Sequence, residues 1–90
     1  MMAVVHIPAP LRQLTGGESQ VTVEGATLRQ VVDALEAAHP GIRARLVEGD
    51  RLRPGLAVFV DNVQADAGLR TPVKHDSQIY LAPAIAGGTA

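Results

Sequence analysis

The stretch Thr27-Leu28-Arg29-Gln30-Val31-Val32-Asp33-Ala34-Leu35-Glu36-Ala37-Ala38-His39-Pro40-Gly41 decides how the rest of the chain is read. Leu28, Val31, Val32 and Leu35 recur at i, i+3, i+4 and i+7, which makes one apolar stripe on a helix. Thr27 is placed to cap the first turn, and Gln30, three residues on, can reach back to form a capping box. Pro40-Gly41 stops the run, and a charged His39 at this end suits the helix dipole, a structural role. A helix with a single apolar stripe needs one surface to cover, so the flanking segments must supply it.

Working outward toward the N-terminus, Ser19 to Glu24 alternates, with Val21 and Val23 on one side and Gln20, Thr22 and Glu24 on the other. That is a half-buried strand. Before it, Ala3 to Ile7 is apolar or β-branched apart from His6, and Pro8 and Pro10 end the run, giving a first strand. Leu11 to Gly17 reads as a turn whose paired glycines are free to take positive φ, so the two strands form an antiparallel hairpin. Gly16-Gly17 has neither the strand-to-helix setting nor the following lysine of a phosphate loop.

Toward the C-terminus, Ile42 and Leu46 suggest one more short turn of helix before Gly49-Asp50. Leu56 to Val60 is a third strand, with Leu56, Val58 and Val60 opposite Ala57 and Phe59. Asp61-Asn62 turns the chain. Val63 to Lys74 is irregular, and Thr71-Pro72 argues against a central strand there. Gln78 to Pro83 is the last strand, with Ile79 and Leu81 opposite Tyr80 and Ala82. The order is β-β-α-β-(short element)-β, an α+β domain in which one helix covers one face of a sheet of about four strands.

This assignment separates two faces. The helix stripe packs on the Val/Leu/Ile side, which offers more apolar area. Phe59 and Tyr80, the two aromatic residues of the chain, then project from the uncovered side. With Ala82 and Pro83 beside them they are the expected docking surface for a partner.

Composition narrows the function. The 90 residues are 47% hydrophobic and 19% charged with a net charge of -1, a globular composition that gives no electrostatic reason to expect nucleic acid or an anionic membrane. No run approaches the roughly 18 apolar residues of a membrane span. The start lacks a basic leader, so a cytoplasmic location is expected. Cysteine is absent, which excludes disulfides, thiolate metal sites and a cysteine nucleophile. His6, His39 and His75 have no metal-ligand spacing, so no metal is expected. His75-Asp76-Ser77 is a hydrolytic trio only as letters, because adjacent residues rarely converge on one reacting atom; it reads as the turn into the last strand. Arg43, Arg45, Arg51 and Arg53, with Glu48 and Asp50 between them, read as a solvated face laced with ion pairs rather than a partner contact. No acid/base pair, nucleophile or metal set is evident, so the chain is expected to be no enzyme.

The order of elements resembles the β-grasp fold of ubiquitin, a mixed four- to five-stranded sheet with one main helix on one face. The ending Leu81-Ala82-Pro83-Ala84-Ile85-Ala86-Gly87-Gly88 resembles the terminus of the ubiquitin-like sulfur carriers of the molybdopterin-synthase small-subunit and thiamine-biosynthesis type. Ile7-Pro8 with Leu11-Arg12-Gln13-Leu14, Glu24-Gly25-Ala26-Thr27-Leu28, His39-Pro40-Gly41-Ile42, Phe59-Val60-Asp61-Asn62 and Leu69-Arg70-Thr71-Pro72-Val73 agree with the molybdopterin branch. The resemblance spans nearly the whole chain and implies a β-grasp domain over 1–84 and a flexible tail over 85–88. It also implies an E1-like adenylyltransferase/sulfurtransferase that uses ATP on the Gly88 carboxylate, and a sulfur donor that converts the adenylate to a thiocarboxylate. A sulfur-accepting synthase then receives the sulfur. Ile85, Ala86 and Gly87 would thread the enzyme's channel, where side chains clash and glycine's backbone freedom helps. This chain would itself bind no cofactor.

Members of this family typically end at the second glycine, and here Thr89-Ala90 follow. Gly88 then has no free carboxylate. Three readings compete: a precursor cut between Gly88 and Thr89 by a JAMM-type metalloprotease, an appended remnant, or a β-grasp interaction module that has lost the carrier role. The precursor reading is preferred. A protein modifier that joins Gly88 to target lysines is a further alternative.

Overall fold

In a computed structural model, residues 2–83 are described. The sequence stripe forms helix α1, Leu28–Ala38, with Leu28, Val31, Val32 and Leu35 all buried. Thr27 caps it, its hydroxyl accepting from the Gln30 N–H at 3.3 Å. The box closes one residue earlier than expected: the Gln30 Oε1 accepts from the Ala26 N–H at 2.7 Å. Helix α2, Arg43–Leu46, is the short turn anticipated around Ile42 and Leu46.

Seven strands are described: β1 Met2–His6, β2 Gln20–Glu24, β3 Val47–Glu48, β4 Arg51–Leu52, β5 Leu56–Val60, β6 Val63–Gln64 and β7 Gln78–Pro83. The main sheet has the order β2-β1-β7-β5-β6. β1 and β7 are parallel neighbours at its centre, and the β1–β2, β5–β7 and β5–β6 pairs are antiparallel. The chain returns to the parallel partner through the helices, as parallel pairing requires. One face of the sheet carries Ala3, Val5, Val21, Val23, Val58, Val60, Ile79 and Leu81, all buried, and α1 lies in the same core. Fully burying each Val, Leu or Ile contributes about 1.5–3 kcal/mol, so the covered face carries most of the stabilisation.

Three segments differ from the sequence reading. Residues Ala9–Thr15 form a 3-10 helix rather than a plain turn. Pro10 fits its start, and the buried Thr15 hydroxyl donates within bonding distance of the Arg12 and Glu18 carbonyls before Gly16 ends it at φ 66. A small hairpin, β3–β4, turns through Gly49 at φ 66 in a stretch with no two-residue alternation to announce it. Part of the expected irregular segment is β6, joined to β5 by Asp61 and Asn62 at φ 52 and 72. Two successive positive φ values make the two-residue hairpin turn that suits the sheet's twist, and Asp and Asn tolerate it.

Gly25 answers to a close approach. A Cβ there would sit 2.8 Å from the Val31 backbone nitrogen and 2.9 Å from its Cγ2. The chain between β2 and α1 therefore passes against the helix with no room for a side chain.

Candidate functional site

Period-two alternation puts Tyr80 and Ala82 on the side of β7 opposite the buried Ile79 and Leu81. On β5 the same parity puts Ala57 and Phe59 on that side. Phe59 is registered with Tyr80 and Ala57 with Ala82, so three of the four expected docking residues lie together on the face away from α1. Pro83 is registered with Leu56. Tyr80 is 42% exposed, while Phe59 and Ala82 are half-buried.

The structure adds a residue to this face. His6 of β1 pairs in register with Tyr80 across the parallel junction, and the two rings stack with centroids 4.1 Å apart and planes 3° from parallel. The His6 Nε2 lies 2.7 Å from the Gln78 Oε1, which holds the imidazole flat. His6 was legible only as a strand residue, because the register of a parallel pair distant in sequence leaves no local signal.

At the other end of β7, Asp61 ties the hairpin to the strand. Its carboxylate accepts from the Gln78 N–H at 2.8 Å and from the Ser77 hydroxyl at 2.7 Å. These bonds, the Gln78 N–H first, hold the Asp61 carboxyl below its ordinary value. Ser77 is buried and its Oγ also accepts from the Lys74 N–H at 2.9 Å. The hydroxyl is thereby committed to the turn, while His75 faces Asp76 at 3.4 Å. His75, Asp76 and Ser77 thus make a turn and not a catalytic array. Among the described residues no group of three His, Asp or Glu side chains is placed to hold a metal ion.

Of the arginine group, Arg43 reaches Asp33 on α1 at 3.3 Å, and Asp50 is met by Arg29 at 3.8 Å. Glu36 serves the backbone: its carboxylate accepts from the Arg43 and Gly41 N–H groups, which lower its pKa. Arg45 and Arg53 instead line a cleft of about 190 Å³ with Pro8, Pro10, Leu11 and Leu56. The positions expected to carry or thread the sulfur, Ile85, Ala86, Gly87 and Gly88, and the cleavage position Thr89 lie outside the described residues, as does the Pro83 side chain.

A mixed sheet with a central parallel pair, one covering helix and an uncovered face leading into the C-terminal segment is the architecture of the ubiquitin-like β-grasp proteins. The ThiS family model matches residues 5–88, and the chain belongs to that family. The sulfur carrier protein CysO of Mycobacterium tuberculosis is 34% identical over 93 residues, spanning 98% of this chain and all of the relative. CysO in the BexX/CysO complex of Amycolatopsis orientalis superposes with a TM-score of 0.89 at 39% identity, covering 96% of this chain and 99% of that one. SAMP1 of Haloferax volcanii superposes at 0.79 with 25% identity, covering 98% and 100%. The chain is a ubiquitin-like sulfur carrier. No helix among the described residues is long and apolar enough to cross a membrane.

Proposed function

We propose that the sulfur travels on the backbone carboxyl of Gly88. The observation that carries this is the extent of the family match, which ends at Gly88 and leaves Thr89-Ala90 outside it. Water first cleaves the Gly88–Thr89 peptide bond on a JAMM-type metalloprotease, freeing the carboxylate. An E1-like enzyme then joins that carboxylate to the α-phosphate of ATP and releases pyrophosphate. Sulfur at the sulfide level displaces AMP and leaves a thiocarboxylate. Nucleotide, metal and catalytic groups belong to the partners, and this chain is a cosubstrate in the cytoplasm. A cysteine-forming synthase fits best as the recipient, ahead of one that builds molybdopterin, thiazole or another small molecule, since the likeness to CysO runs the length of the chain.

Intact-mass spectrometry of the protein from its native host tests this. The expected species ends at Gly88, and a fraction of it is heavier by the difference between sulfur and oxygen. Retention of Thr89-Ala90 on every molecule while the pathway is active overturns it. The likeness to SAMP1, a small archaeal modifier protein, favours a second reading in which Gly88 is joined to lysines. Isopeptide-linked products in the same extract would mark that role.

A further inference from the structure

We propose that the cleft lined by Arg45 and Arg53 is where the adenylating partner docks, through a segment that places an apolar side chain against its apolar lining and carboxylates against its arginines. This rests on the activation of Gly88 proposed above.

Position is the first ground. Leu56, which lines the cleft, is the register partner of Pro83, five residues before Gly88, so the cleft adjoins the end of β7 that the tail continues. A partner seated there holds the root of the peptide on which it acts. Chemistry is the second. Pro8, Pro10, Leu11 and Leu56 give the cleft an apolar lining, and Arg45 and Arg53, both exposed, add positive charge to it. A bare phosphate would leave the apolar lining wet, whereas an acidic peptide segment with an apolar anchor satisfies both parts.

Charge placement is the third ground. Arg29 and Arg43 have carboxylates within 4 Å, but neither Arg45 nor Arg53 does among the described residues. The Arg53 Nη1 instead donates to the Ala44 carbonyl at 3.3 Å, and the residue lines the cleft. Glu24, Asp61 and Asp76 lie at the other end of the sheet: Glu24 is paired with Met2, Asp61 accepts from Gln78, and the Asp76 N–H donates to Met2. Glu48 and Asp50 lie nearer, on a pocket that shares Pro54 with this cleft, so the basic character is local to the Arg45 and Arg53 side chains themselves. Arginine has a further merit here, because a guanidinium stays protonated and does not attack a neighbouring acyl adenylate, as a lysine amine can. The sole lysine, Lys74, precedes β7 at that strand's far end.

The test uses the chain ending at Gly88 with the E1-like enzyme that adenylates it, read by pyrophosphate release and, without ATP, by calorimetric titration. Arg45→Glu/Arg53→Glu is expected to raise KM and Kd on the order of tenfold at low salt, with kcat unchanged. Arg45→Lys/Arg53→Lys should recover most of the affinity, and Lys74→Glu should behave as wild type. Added salt should weaken the wild type toward the double Glu variant. A double Glu variant that keeps its circular dichroism spectrum and stays within twofold of wild type overturns the inference alone. A wild-type chain that supports no ATP turnover overturns the activation reading, and the inference with it.

Discussion

The two faces of the sheet are built from the same strands, yet they hold different chemistry. Toward α1, Val5, Val58, Val60, Ile79 and Leu81 are buried in one aliphatic core without an aromatic ring. One residue away along β1, β5 and β7, His6, Phe59 and Tyr80 form a partly exposed patch in which the His6 and Tyr80 rings stack. Alternation alone separates them, so a shift of one residue in register would exchange the faces. The covered face holds the fold, and the open face can change without unfolding it.

The largest expected effect tests the covered face. Leu35→Ala removes a fully buried side chain from the helix stripe and should lower unfolding free energy by about 2–5 kcal/mol in urea denaturation. Gly25→Ala forces a methyl group into backbone and should cost about 1–3 kcal/mol, visible as a lower Tm. Thr27→Ala removes the cap and should cost about 1 kcal/mol. On the open face, Tyr80→Ala loses an exposed stack and should stay within about 0.5–1.5 kcal/mol. A loss for Tyr80→Ala as large as that for Leu35→Ala would end the distinction between the faces.

The smallest effect concerns pH. Asp61 has a folded pKa below its unfolded value, so its contribution is present above the ordinary carboxylate range near about 4 and is lost as pH falls through the folded value. Asp61→Asn keeps a residue that tolerates positive φ but lacks the charge. The gap in Tm between wild type and variant should therefore be widest near neutrality and close as the solution is acidified below that range. A gap independent of pH would mean that the carboxylate's charge contributes nothing to the hairpin anchor.

Much of this architecture was readable because it is periodic. Leu28, Val31, Val32 and Leu35 announce the helix, and the parity of Phe59 and Tyr80 correctly predicts their shared face. What escaped was non-local or aperiodic. The His6–Tyr80 stack depends on a parallel register between residues 74 positions apart. The β3–β4 hairpin has two residues per strand, too few to alternate. Arg43 and Arg45 look alike in sequence, but α2 turns one toward Asp33 and the other toward the proline-lined cleft. The core positions were legible, while the site's membership was set by register and by which way short elements turn.

Lys74 gives the molecule a practical asymmetry. It carries the chain's single side-chain amine, lies in the turn before β7, and is exposed. An amine-directed dye or surface linker therefore has one side-chain target, at the end of the strand away from Leu56 and Pro83. A carrier tethered there would be immobilised in one orientation, with both its aromatic face and its arginine-lined cleft left open to whatever is passed over it.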